Sequence, residues 1–134
     1  MAETQYHVDA IFQLRELLDD LFAARIRVWI GTDQFWYWEE GNPSARTAPD
    51  IMVVFGIPRE PLRRSFLSWR EKAIPSFICE FSSEHTWENH LSWKRNTYER
   101  LGVKEYFLFD PEYHYLRPAL QGFRLASGRY RRSR

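Results

Sequence analysis

The sequence is poor in cysteine, and this excludes two common ways of stabilising a small domain. Its 134 residues include a single cysteine, Cys79, so neither an intrachain disulfide nor a zinc site built from several thiolates can form. Cys79 lies inside the apolar run FICEF, where a buried and unreactive thiol is expected. The fold must therefore depend on a hydrophobic core, which a chain of this length can bury.

Long hydrophobic runs and a strong net charge are also missing. No apolar stretch approaches the roughly 18 residues of a membrane span. The start MAETQYHVDA lacks the regions of a signal peptide, so we expect a cytoplasmic protein with no membrane partner. The formal net charge of +1 leaves only local patches for nucleic acid. Glycine-rich phosphate loops and glycine-flanked serine nucleophiles are absent from the sequence as well.

The sequence does contain alternating helix and strand patterns, which predict an α/β fold. Apolar residues recur at helical spacing from about 8 to 24. RIRVWIG and QFWYWEE then predict a hairpin around GTD, and GNPSARTAP predicts a loop. DIMVVFG, SFICEFS and EYFLFDP predict strands covered on both faces, with a helix over 87–101 between the last two. A closing hairpin around ASG follows.

This order of elements predicts a mixed sheet in a single domain over residues 1–134. The strand–helix–strand unit 76–110 is expected to be a parallel crossover. The proline-bracketed segment IPREPLRRSFLSWREKAIP predicts a loop with one helical turn. We expect frayed ends at 1–6 and at 131–134, where the run GRYRRSR ends the chain.

Three charged residues stand at positions that favour apolar side chains. Glu80 interrupts SFICEFS, and an ionised carboxylate there is costly unless it is paired. Asp50 opens DIMVVFG directly after Pro49. Lys94 lies on the sheet-facing side of its helix, and a buried lysine needs a partner. Its helical stripe consists of Trp87, Leu91, Lys94, Tyr98 and Leu101.

The three charged residues are expected to meet in one polar cluster, for which two interpretations stay open. One is a structural Glu80–Lys94 ion pair with Asp50 capping a loop, although buried ion pairs add little net stability. The other is a metal site, because two carboxylates on neighbouring strands can hold Mg²⁺. Lys94 would then orient the attacking water or stabilise charge on a phosphoryl oxygen.

These residues resemble the motif of the Uma2 family, predicted endonucleases of the restriction-endonuclease-like, PD-(D/E)xK superfamily. The resemblance covers about residues 27–130, and its most specific element is GVKEYFLFDP after a Lys-xxx-Tyr helix. It is carried by Pro49, Asp50, Glu80, Phe81, Ser82, Lys94 and the segment that begins at Tyr98. It implies a mixed β-sheet flanked by helices and hydrolysis of phosphodiester bonds in DNA, with Mg²⁺ as cofactor and Mn²⁺ as a substitute.

The resemblance also implies roles for individual residues. Asp50 and Glu80 would be catalytic metal ligands, joined by the backbone carbonyl of Phe81. Lys94 would be the catalytic lysine. Many related families place that lysine two residues after the second acid, where this chain has Ser82.

Two further residues are candidates for supporting this site, as Ser82 is. Superfamily members often add an acid from the first helix, for which Glu16 is the candidate. Tyr98 lies one turn after the lysine, where it could hydrogen-bond within the cluster or simply fill the core.

A nuclease is one of three functions that these patterns allow. The same fold could be a catalytically silent module that binds nucleic acid or protein, or a small-molecule metallohydrolase. A zinc site at His85 and His90 is disfavoured because their spacing does not share one helix face, and exposed polar residues are expected there. Trp36 and its aromatic neighbours could stack on bases or pack in a core.

The surplus of apolar residues in QFWYWEE and SFLSWREK predicts a homodimer.

Overall fold

Two β-sheets and three helices form the computed structural model, which describes residues 4–133. The strands are β1 (Val28–Thr32), β2 (Trp36–Tyr37), β3 (Arg46–Thr47), β4 (Ile51–Phe55), β5 (Phe66–Leu67), β6 (Phe77–Phe81), β7 (Glu105–Phe109), β8 (Leu120–Ala126) and β9 (Arg129–Ser133). The helices are α1 (Gln5–Leu21), α2 (Ser68–Glu71) and α3, which covers residues 87–101. The predicted α/β class is confirmed.

The main sheet has six strands in the order β1-β4-β6-β7-β8-β9. Strands β6 and β7, which α3 connects, are parallel, and the other neighbours are antiparallel. The predicted parallel crossover and the closing hairpin of β8 and β9 are therefore confirmed. Because β4 and β6 both lie inside the sheet, their strand ends have neighbours on either side.

The hairpin predicted from RIRVWIG and QFWYWEE is wrong. Strand β1 pairs with β4, whereas β2 belongs to a second sheet in the order β3-β2-β5. Burial of Trp36 explains the departure, because its indole is inaccessible, stacks on Tyr98 and donates to Ser68 Oγ at 2.8 Å. The small sheet also draws strands β3 and β5 from segments predicted as loop.

The same burial weakens the premise of the dimer prediction. Trp36 and Phe66 of the segments QFWYWEE and SFLSWREK are fully buried in the core, whereas Phe35 is 44% exposed. Base stacking on Trp36 is excluded for the same reason. The dimer itself stays a prediction.

Helices α1 and α3 cover opposite faces of the main sheet. The stripe Ile11, Leu14 and Leu18 of α1 packs on one apolar cluster, which includes Ile51 and Cys79. The other face of the same strands packs against α3. The alternation predicted for β4 and β6 is therefore confirmed, and it assigns Asp50 and Glu80 to the α3 face.

Helix α3 begins and ends where predicted, but its middle is a π-helix. The α-helical segment Trp87–Asn89 leads into the π-helical segment His90–Lys94, and the α-helical segment Arg95–Leu101 follows. Gly102 then closes the helix with a φ of +89°, as predicted for a glycine at this position. Short π-helical segments are frequent at functional sites, and this one contains Lys94.

Both chain ends are more regular than expected. Residues 5 and 6 belong to α1, which Thr4 caps by accepting a hydrogen bond from the His7 amide. Residues 131–133 belong to β9. Residues 1–3 and 134 lie outside the described part of the chain. Within residues 4–133, no helix combines the length and apolar character needed to cross a membrane.

Candidate active site

Asp50 and Glu80 face each other across β4 and β6. The register pairs Ile51 with Cys79 and Met52 with Ile78, so Asp50 and Glu80 form the next pair along. Each carboxylate accepts a hydrogen bond from the opposite strand. The Asp50 N–H donates to Glu80 Oε1 at 2.9 Å, and the Phe81 N–H donates to Asp50 Oδ2 at 2.7 Å. The two acids thus extend the strand pairing with their side chains.

Lys94 extends from α3 toward this pair and contacts Glu80. Its Nζ lies 2.9 Å from Glu80 Oε2. The Glu80 side chain is 1% exposed and that of Lys94 is 18% exposed, so the ion pair joins a buried acid to a base at the edge of solvent. Asp50 is half-buried. The cluster therefore has a buried end at Glu80 and an accessible end at Asp50 and Lys94.

Tyr98 supplies a third partner for the buried acid. Its hydroxyl lies 3.1 Å from Glu80 Oε2 and 3.2 Å from Thr47 Oγ1. Burial, followed by the nearby Glu80 charge, raises the pKa of Tyr98 well above its usual value. The phenol therefore stays protonated and donates to the carboxylate. Thr47 comes from β3, so the small sheet also supports the cluster.

The electrostatics keep Glu80 ionised. Burial alone would raise the pKa of its carboxyl, but the Lys94 ammonium, His90 and the Asp50 amide together lower the pKa below the ordinary value. A carboxylate stabilised by a cation and several donors behaves in this way. Glu80 is thus a buried anion at neutral pH, with partners on both of its oxygens.

His7 joins the site from the first turns of α1. Its Nε2 forms a hydrogen bond with the backbone carbonyl of Phe81, and the ring is buried. A carbonyl can only accept, so Nε2 carries the proton in this contact. By contrast, Glu16 is exposed and lies nine residues further along α1, about 13 Å at the helical rise per residue. The structure therefore brings His7, and not Glu16, to the cluster.

Ser82 and His90 form a second buried pair beside Glu80. Ser82 Oγ lies 2.8 Å from His90 Nδ1, and both residues are almost inaccessible. Burial lowers the pKa of His90 to about 4, with the Glu80 charge opposing this and Lys94 adding to it. The imidazole is therefore neutral at pH 7. The expectation of an exposed residue is wrong for His90, whereas His85 is exposed.

Two signals could have identified the histidines that the sequence reasoning missed. His7 continues the α1 stripe of Ile11, Leu14 and Leu18 by one turn toward the N-terminus, at spacings of four, three and four. His90 lies three residues after Trp87 and four before Lys94, which places it beside the stripe of α3. Histidine has both apolar and polar surface and can occupy positions on the sheet-facing side of a helix. Periodicity therefore indicates which side of the helix each histidine lies on, but not what it does there.

The donor set suits a hard divalent cation. The Asp50 carboxylate, Glu80 Oε1 and the Phe81 carbonyl are oxygen donors at the ends of two adjacent strands. Within residues 4–133, no group of three or more His, Cys, Asp or Glu side chains could hold a metal ion. A cation here would have few protein ligands and would keep several waters, which Mg²⁺ favours. The Phe81 carbonyl would have to exchange its hydrogen bond with His7.

Comparisons with known proteins identify a family and a similar fold. A model of the Uma2 family, described as a putative restriction endonuclease, matches residues 1–134. The fold is similar to a solved structure from Anabaena variabilis described as a putative nuclease belonging to DUF820, with a TM-score of 0.71 and 12% identity. That match covers 98% of this chain and 69% of the other, and at this identity it concerns the fold alone. No curated protein matches the sequence.

Proposed function

Because the chain belongs to the Uma2 family of putative restriction endonucleases, we propose that it is a metal-dependent endonuclease that hydrolyses phosphodiester bonds in DNA. The observation that carries the proposal is the convergence of Asp50, Glu80 and Lys94 at one end of β4 and β6. Buried ion pairs are a weak source of stability, so a cluster that is open to solvent on one side favours chemistry.

The cation would be held by Asp50, Glu80 and the Phe81 carbonyl. Bound Mg²⁺ supplies positive charge that polarises a phosphoryl oxygen and makes water a better nucleophile. Mn²⁺ favours the same oxygen donors and is the expected substitute. Asp50 is the accessible carboxylate of the two, and Glu80 is fixed by its hydrogen bonds to Asp50, Lys94 and Tyr98.

Lys94 is the group that would meet the substrate directly. Its ammonium has three donors, and the hydrogen bond to Glu80 uses one of them. The remaining donors can hold an attacking water or stabilise negative charge on the phosphoryl group in the transition state. Glu80 fixes the direction of the lysine because it is itself immobile, and Tyr98 helps to hold it.

A second candidate function is a binding module that has kept the fold without catalysis. One observation favours it, since both oxygens of Glu80 already have partners within the protein. In that case the cluster would join β4, β6 and α3 as a structural ion pair. A module of this kind could still bind nucleic acid or another protein.

A nuclease assay distinguishes these functions. Duplex, single-stranded and branched DNA would be incubated with the protein in Mg²⁺, in Mn²⁺ and with a chelator. We expect metal-dependent cleavage, a loss of about 100-fold or more in Lys94→Met and a similar loss in Asp50→Asn. The matched control is Lys104→Met, which removes an exposed lysine far from the cluster. Binding without cleavage of any DNA in either metal would favour the second function.

A further inference from the structure

The main sheet is covered on only half of its α1 face. Helix α1 packs over β1, β4 and β6, while β7, β8 and β9 continue the sheet beyond it. At the boundary, the rings of Phe77 on β6 and Phe107 on β7 have centroids 5.5 Å apart and are tilted by 32°, yet both are only half-buried. An apolar cavity of about 290 Å³ separates this open half-sheet from α1. Its apolar lining includes Leu14, Leu17, Phe109 and Leu120.

The open half-sheet is also basic. Strands β8 and β9 carry four arginines and no acidic residue. Phe123 belongs to the core on the α3 side, so alternation directs Arg124 to the α1 face, and its cross-strand partner Arg131 shares that face. Like charges directly opposite each other destabilise a strand pair. Glu105 lies 3.3 Å from Arg124 but itself remains partly exposed, so further negative charge would stabilise this face.

Helix α1 has the complementary properties on its outer side. It carries four carboxylates and one arginine, a net charge of −3. Phe12, Leu17 and Leu21 are each more than 60% exposed, an unusual cost for a helix that faces only water. An acidic helix with apolar side chains thus lies beside a basic half-sheet with half-buried aromatic rings, on one side of the molecule.

We propose that this side is a homodimer interface in which α1 of each copy lies on the open half-sheet of the other. A two-fold axis through this side of the molecule would form both α1–sheet contacts together, as an isologous interface requires. The acids of α1 would then offset the Arg124–Arg131 pair of the partner. The contact would also bury the exposed residues of α1 against Phe107 and Leu120.

Nucleic acid is the competing occupant, since arginines and aromatic rings also bind single strands. Two observations favour a second copy. The acidic α1 lies next to the open half-sheet, across the cavity that Leu17 and Leu120 line, and would repel a phosphate backbone. The cluster of Asp50, Glu80 and Lys94 lies on the opposite face of the sheet, so DNA held here would not reach it. The proposal does not depend on nuclease activity.

Charge reversal in two complementary variants tests the interface by light scattering and sedimentation. One variant is Arg124→Glu/Arg131→Glu, and the other is Asp9→Arg/Asp20→Arg. The wild type is expected to have the mass of two chains at micromolar concentration. Each variant alone should have a dimer dissociation constant raised about tenfold or more, because both contacts become repulsive. Mixing the two variants should restore a dimer, since both contacts are then attractive again.

The matched control is Arg132→Glu, which reverses one charge on the other face of β9 and should leave the dimer intact. Circular dichroism of each variant verifies that it is folded. The proposal is overturned if the wild type is a monomer, if each variant alone dimerises like the wild type, or if the folded variants stay monomeric when mixed. It is also overturned if Arg124→Glu/Arg131→Glu loses binding of a single-stranded oligonucleotide while its mass equals that of the wild type.

Discussion

Lys94 Nζ lies 2.9 Å from Glu80 Oε2, and this contact joins a fully buried carboxylate to a lysine at the edge of solvent. Glu80 needs such a partner, because an unpaired buried charge costs several kcal/mol or shifts to its neutral form. The contact therefore serves stability whatever the chemistry. It also gives the ammonium a fixed direction beside Glu80.

Removing the charge of Glu80 should destabilise the metal-free protein. Glu80→Gln leaves the Lys94 ammonium without its carboxylate, and we expect a loss of about 3 kcal/mol in the free energy of unfolding. Urea denaturation measures this, with the exposed Glu84→Gln as the matched control. Unchanged stability in Glu80→Gln would contradict this prediction and would mean that mutual repulsion of the two acids offsets the ion pair.

Stability should fall in mild acid through His90. Its pKa is about 4 in the folded protein and about 6.5 in an unfolded chain, so the unfolded state binds the proton first. The contribution of neutral His90 to the free energy of unfolding is fully present above pH 6.5 and decreases as the pH falls toward 4. The total loss is roughly 3 kcal/mol. Unfolding curves across this pH range measure it. The pH dependence should be weaker in His90→Asn and unchanged in His85→Asn.

Divalent cations should stabilise the wild type and not the variant that lacks the accessible ligand. Binding to the folded state alone contributes about 2.7 kcal/mol at a free concentration one hundred times the dissociation constant. Thermal unfolding with and without Mg²⁺ should give a higher midpoint for the wild type and no change for Asp50→Asn. Asp33→Asn is the control, because Asp33 is exposed and its amide bonds to the Asp50 carbonyl. An equal shift in all three proteins would place the cation elsewhere.

Tyr98→Phe should isolate the contribution of one hydroxyl. The ring packs between Trp36 and Tyr106 and would be retained, whereas the hydrogen bonds to Glu80 and Thr47 would be lost. A hydrogen bond to a buried charged group contributes about 2 kcal/mol, so we expect a loss of that size in chemical denaturation. Tyr113→Phe, at an exposed tyrosine, should have no effect. A neutral result for Tyr98→Phe would show that Lys94 alone satisfies the carboxylate.

The sequence by itself determined that Asp50, Glu80 and Lys94 lie on faces that meet. Strand alternation assigned Asp50 and Glu80 to one face of β4 and β6. Helical periodicity assigned Lys94 to the side of α3 that packs on that face. Local periodicity fixes the direction of a side chain relative to its own element. A charge on an apolar face then requires a partner, so the pairing of Glu80 with Lys94 follows from the sequence.

Only the tertiary structure decided how distant segments combine. Strand β2 belongs to the small sheet and not to the main sheet, because this position buries the Trp36 indole against Tyr98. No local sequence pattern distinguishes this arrangement from a hairpin of β1 and β2. His7 reached the Phe81 carbonyl across 74 residues of sequence, and Thr47 reached Tyr98 across 51. Such contacts depend on how whole helices and strands pack. The free energy of burying a side chain is set by the residues around it in the assembled core, most of which are distant in sequence.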